Sequence, residues 1–190
     1  MRKKTLTAVL LMILSSAALM NAQSTGNNVV DHILSAYSPG MFTSDPVSDA
    51  DIDLIVRSGL KAPSARNGQP WKFTVLKDPA LVASAITNAN PGNVVFVVSA
   101  PETGDQGMSY DFDCALATEN MYLAAQALGL GARIYTGPVR IINSSKRQTL
   151  GIPEGYKVIA LLRVGHVSKD IDASSAASTR KAKEELVNYK

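Results

Sequence analysis

"DFDCALATENMYLAAQALGLGARIYTG", residues Asp111 to Gly137, runs a helix almost directly into a strand. To about residue 130 Ala and Leu dominate, helix propensity is high, and apolar side chains fall on nearly the whole circumference. Such a helix belongs at the centre of a core or in a subunit interface. Gly129 and Gly131 are expected to end it by allowing left-handed backbone, and Ala132–Gly137 then reads as a strand. Upstream, "VVFVVSA" (Val94–Ala100) is a β-branched run without polar alternation, the pattern of a strand buried on both faces.

Further out, helices and strands alternate. Ser48–Ala62 keeps one apolar stripe (Ile52, Ile55, Val56, Leu60) behind a Ser48 N-cap with Asp51 three residues on, and Pro63 stops it. Lys72–Lys77 reads as a short strand with Phe73 and Val75 on one face, a weak helix starts at Pro79, and Asn90–Asn93 makes a turn. Tyr156–Val167 supplies the last strand. The alternation argues an α/β or α+β sandwich. "SKDIDASSAAS" reads as a polar linker before the charged tail "TRKAKEELVNYK".

The N-terminus is organised for export. "MRKK" is a basic start, the apolar run after it ends in small residues, and "NAQ" offers cleavage after Ala22. The expected layout is a signal peptide over 1–22 and a single domain over 23–190, with an extended tail from about 168. Arg2-Lys3 is not a twin-arginine pair, so export precedes folding. A periplasmic or secreted protein follows, with a membrane anchor through an uncleaved segment as the alternative. Arg2, Lys3 and Lys4 account for the whole formal charge of +3, so the remainder is near neutral and lacks the basic stripe of a nucleic-acid surface. A single cysteine, Cys114, excludes an internal disulfide, and no Cys/His spacing suits a metal.

Between the first helix and the first strand lies "LKAPSARNGQPWKF" (Leu60–Phe73). Ser64 offers a hydroxyl, and Asn67 and Gln69 each offer a donor and an acceptor. That mixture suits the edge of a planar neutral heterocycle better than a metal or a bare phosphate. Equally, Asn and Gln can satisfy the loop's own backbone while Trp71 plugs the core.

"APSARNGQPWKFTVL" resembles the A-P-S-x-x-N-x-Q-P-W-x-F signature of the nitroreductase family, and the long helix and the last strand are similar to that family's. The resemblance implies an α+β three-layer sandwich: a central mixed or antiparallel sheet flanked by helices, the long helix at a homodimer interface, and FMN bound there. It implies that Pro63, Ser64, Asn67 and Gln69 line the flavin ring edge, that the backbone of Tyr135, Thr136 and Gly137 approaches the ring, and that Arg180 and Lys181 meet the phosphate. The family's Arg-Ser-x-Arg phosphate motif is degenerate here. "AYSPGMF" (Ala36–Phe42) keeps Ser38 and Phe42 but has no arginine. Two charge-assisted contacts at roughly 1.5–3 kcal/mol each amount to orders of magnitude in affinity. Arg66 is a candidate compensating cation, beside the flavin's N1 and C2 oxygen, or else a solvated surface residue.

The implied activity is FMN-dependent reduction of nitroaromatic, quinone-like or other electrophilic small molecules by hydride transfer through flavin N5. No side chain need be catalytic. Without a Rossmann G-x-G-x-x-G, an NAD(P)H donor would share the acceptor's face. Two alternatives follow from the degenerate motif: a flavin-binding or scavenging protein without turnover, and a member that keeps the fold and has lost FMN.

Overall fold

A computed structural model of the chain describes residues 25–103, 109–168 and 180–190. The expected signal peptide and most of the expected linker lie outside the described residues. Strands β1 (Lys72–Leu76), β2 (Val94–Pro101), β3 (Gly131–Tyr135) and β4 (Tyr156–Gly165) form one sheet in the order β1-β2-β4-β3. Every pairing is antiparallel, which resolves the expected mixed or antiparallel sheet to the second form.

The sheet is covered on both faces. Helices α2 (Asp49–Leu60) and α4 (Tyr110–Ala127) pack on one, and α3 (Pro79–Ala85) with the segment around Ile142–Ile152 on the other. β2 shows why its sequence lacks polar alternation. Phe96 and Val98 enter the first core with Ile55, Met121 and Leu162, while Val95 and Val97 enter the second with Val82, Ile142 and Leu161. Each such side chain contributes roughly 1.5–3 kcal/mol of burial, so the central strand is the strongest single commitment to this fold.

The helix ends follow their caps. Ser48 Oγ accepts from Asp51 N at 3.1 Å and donates to the Asp51 carboxylate at 2.6 Å, which starts α2. Asp78 does the same for α3, accepting from Ala80 and Leu81. An additional amphipathic helix, α1 (Asn28–Ser35), is capped by Asn27. Short α5 (Val139–Ile141) continues into a π-turn over Ile142–Lys146, and α6 (Lys183–Leu186) sits in the tail.

α4 is not enclosed all round. Cys114, Ala117, Met121 and Ala125 face the core, whereas Phe112 is 62% exposed. Gly129, at φ +79°, ends the helix as expected. Gly131 does something else. It is the first residue of β3, and a Cβ there would lie 2.7 Å from Val167 Cγ1 and 3.0 Å from Pro39 Cγ, so close packing is what demands glycine. Among the described residues no helix is long and apolar enough to cross a membrane.

Candidate functional site

Pro63 to Pro70 link α2 to β1 along one edge of the sheet. Ser64 Oγ accepts from Gln69 N at 3.0 Å, and Asp113, in the first turn of α4, accepts from Ala65 N at 3.1 Å. These two contacts hold a tight turn over Ala65–Asn67, in which Asn67 N donates to Ser64 O at 3.0 Å and Gly68 N to Ala65 O at 2.9 Å. Arg66, Asn67 and Gln69 have φ of 53°, 56° and 46°, and they are the only non-glycine residues at positive φ among the described residues. Asn tolerates that region, whereas Arg and Gln are strained there by about 1–2 kcal/mol each. The side chains of all three are exposed, and no ion pair of Arg66 is found among the described residues. Gln69 Nε2 donates weakly to Asn67 O at 3.3 Å, and Trp71 is buried in the core beside Phe73. The loop thus divides its labour: Trp71 builds structure, and the amides are presented outward.

The opposite edge carries a cavity of about 740 Å³. Gly40, Met41 and Phe42 form one wall, Ser84 to Asn88 with Asn90 another, and Tyr135, Gly137, Pro138, Ile141 and Ile142 a third. Three cations, Arg133, Lys146 and Arg163, also line it, and among the described residues no carboxylate does. Arg163 is buried, donating to Asn93 Oδ1 at 2.8 Å and Asn90 Oδ1 at 3.3 Å, with its guanidinium 4.1 Å from the centre of the Phe42 ring. Lys146 Nζ donates to Ser84 O at 2.7 Å. Arg133 reaches Pro39 O at 3.4 Å and lies 5.4 Å from the Tyr135 ring centre.

Of the residues singled out in the sequence, Tyr135 and Gly137 line this cavity, with exposed Thr136 between them. Ser38 is exposed just ahead of its Gly40–Phe42 wall. Met41, 57% exposed, borders the cavity. Pro63, Ser64, Arg66, Asn67 and Gln69 do not line it. They follow α2 into β1, and the order β1-β2-β4-β3 puts three strand spacings, about 14 Å, between that edge and β3. Exposed Arg180 and Lys181 precede α6 and do not line the cavity of their own protomer. Sequence reasoning missed Arg133, Lys146 and Arg163. The one available signal was a charged residue inside each of two strands otherwise rich in apolar residues.

The other reactive-looking groups are structural. His32 Nε2 bonds to Leu123 O at 2.8 Å and His166 Nε2 to Pro46 O at 3.3 Å. Burial, with the Asp111 and Asp113 charges, pushes the Cys114 thiol up to about 12. No group of His, Cys, Asp and Glu among the described residues has the arrangement of a metal site.

This loop, followed by a buried strand, the long helix and the β3–β4 pair, matches the nitroreductase family model over residues 37–96 and 89–166. The chain belongs to the nitroreductase family. It is 32% identical over 145 residues to an Archaeoglobus fulgidus protein named "Putative NADH dehydrogenase/NAD(P)H nitroreductase", covering 70% of this chain and 81% of that one. It is 27% identical over 161 residues to the NADPH-flavin oxidoreductase of Vibrio harveyi, covering 74% and 66%. A Desulfovibrio desulfuricans structure described as "a putative nitroreductase in complex with fmn" superposes with a TM-score of 0.72 at 26% identity, over 86% of this chain and 97% of that one. The fold expected from the nitroreductase signature is therefore the fold observed.

Proposed function

We propose that this nitroreductase-family chain is an FMN-dependent oxidoreductase that works as a homodimer and reduces nitroaromatic, quinone-like or similar electrophiles. The observation that carries the reading is the strained loop. Three left-handed non-glycine residues occur together, and their side chains point away from the core. Strain that serves no packing purpose is a mark of a binding site.

The residues fit the cofactor. Asn67 and Gln69 offer the alternating donors and acceptors that a flavin's pyrimidine edge requires, and Arg66 brings a cation to the same loop. The cation-lined cavity offers the complementary end, suited to a phosphate. The loop lies at the β1 edge and the cavity reaches β3, three strand spacings away, so this reading places the loop of a second copy at the first copy's cavity. Uncovered apolar residues support such an assembly: Val29, Ile33 and Leu34 on α1, Phe112 on α4, and Leu186 and Tyr189 in the tail.

Bound there, FMN supplies hydride acceptance at N5 and electron delivery to an acceptor on its open face. The chain's share is positional. The 64–69 clamp orients the ring edge, Tyr135–Gly137 limit its approach, and the cations of the cavity hold the anionic end. Export, supported by the composition of residues 1–22, would place the enzyme away from the cytosolic NAD(P)H pool, so its donor in place is a separate question from its donor in vitro.

The test is a visible spectrum of the chain from Gln23, titrated with FMN and then with NADPH under anaerobic conditions. Flavin bands that saturate in the micromolar range or tighter and bleach with NADPH are expected. Binding without bleaching by any donor would leave a flavin-binding protein, and a colourless protein indifferent to FMN would overturn the reading.

A further inference from the structure

The antiparallel register of β3 and β4 places Arg133 directly opposite Arg163. Opposed residues of neighbouring strands point to the same face, and like charges in that position destabilise the pair. Here both face the cavity, where Lys146 adds a third positive charge. The ion pairs among the described residues, Arg57–Asp53, Lys77–Asp49, Arg147–Glu102 and Lys157–Asp111, all lie elsewhere. Arg163 is 3% exposed, and the partners found for it are the neutral amides of Asn90 and Asn93 and the Phe42 ring. A buried cation without a counter-ion is a strongly unfavourable arrangement, made worse by a second cation across the ladder. An anion in the cavity would reverse the sign of that interaction.

Arg133 also has a telling neighbour. Its guanidinium donates to the carbonyl of Pro39, inside the Ala36–Phe42 stretch that contains no arginine of its own. Gly40 to Phe42 of that stretch form a wall of the same cavity. We infer that Arg133 is the phosphate-binding residue of the FMN site, delivering from β3 the cation that Ala36–Phe42 lacks, with Arg163 as its buried support and Lys146 as a second contact. This rests on the FMN reading above and adds which residue holds the phosphate.

The roles separate by chemistry. Arg163 has its guanidinium engaged by two asparagines and an aromatic face, so it shapes the potential and stays put. The contact from Arg133 to Pro39 O is long, at 3.4 Å, leaving most of the planar fork for a phosphate oxygen pair.

The experiment compares FMN with riboflavin, which lacks the phosphate, by flavin fluorescence titration of the wild-type chain, Arg133→Gln and Arg133→Lys. The wild type is expected to prefer FMN. Arg133→Gln is expected to lose FMN affinity by about 10- to 100-fold with riboflavin affinity unchanged, and Arg133→Lys to recover part of the loss. Relief of the cross-strand repulsion should also raise the melting temperature of flavin-free Arg133→Gln above that of the flavin-free wild type. If the wild type prefers FMN and Arg133→Gln keeps that preference, the phosphate is held elsewhere and the inference fails while the FMN reading stands. Equal loss for both flavins, or a lowered melting temperature without flavin, would also overturn it, by making Arg133 part of the frame. A wild type that binds neither flavin would remove the FMN reading itself.

Discussion

Gln69 has a long side chain and sits at φ 46°, where glycine would be more comfortable. Its amide N–H donates to Ser64 Oγ and its side chain to Asn67 O, so the local hydrogen bonds sustain the strain without removing it. Gln69→Gly is therefore expected to stabilise the flavin-free protein by about 0.5–1 kcal/mol in urea unfolding, since relief of the strain exceeds the added chain entropy. The same substitution should weaken FMN binding in a parallel titration, because the amide proposed to meet the ring edge is gone. Lower stability together with unchanged binding would assign Gln69 to the frame. The loop was legible in the sequence because its chemistry is contiguous: Pro63 to Trp71 carry their own turn, clamp and core plug. Arg133 and Arg163 were not. Thirty positions separate them, and their opposition appears only once the register of β3 on β4 is fixed.

At the scale of elements, α4 links the core to the loop. Cys114 on its inner face is fully buried, its thiol making only a loose 3.9 Å contact to Ser99 O. Burial first, then the Asp111 and Asp113 charges, with Lys157 opposing, move its pKa from 9.0 to about 12. A folded-state pKa above the unfolded one favours the protonated form in the native state. The resulting stability is fully present below about pH 9 and is lost as pH rises toward 12. Urea unfolding of the wild type should weaken over that interval, with a shallower decline in Cys114→Ala, and the thiol should resist alkylation in the native protein at pH 8. Equal pH slopes for the two proteins would count against the shift. β2 and α4 could be read from the sequence because apolar runs of that length have few other uses. α1 and the 139–146 segment gave weaker signals. The first is short and lies on the surface, and the second changes from α to π geometry within one turn.

At the scale of the whole molecule, the loop and the cation-lined cavity stand on opposite edges of one sheet, and a two-fold axis is the simplest operation that joins them. In a homodimer of that kind each FMN site takes its ring-edge amides from one copy and its cations from the other. Subunit mixing tests this without reference to turnover. Asn67→Ala with Gln69→Ala removes the amide half, Arg133→Gln weakens the cation half, and neither homodimer should hold FMN tightly. After unfolding and refolding together in equal amounts, about half the dimers are mixed, and each mixed dimer has one intact site and one site lacking both halves. Tight FMN binding should reappear at about a quarter of the sites, measured as bound flavin per chain after gel filtration. If each protomer built its own site, mixing would restore nothing. That outcome would put the loop and the cavity of one protomer on the same ligand and remove the shared site.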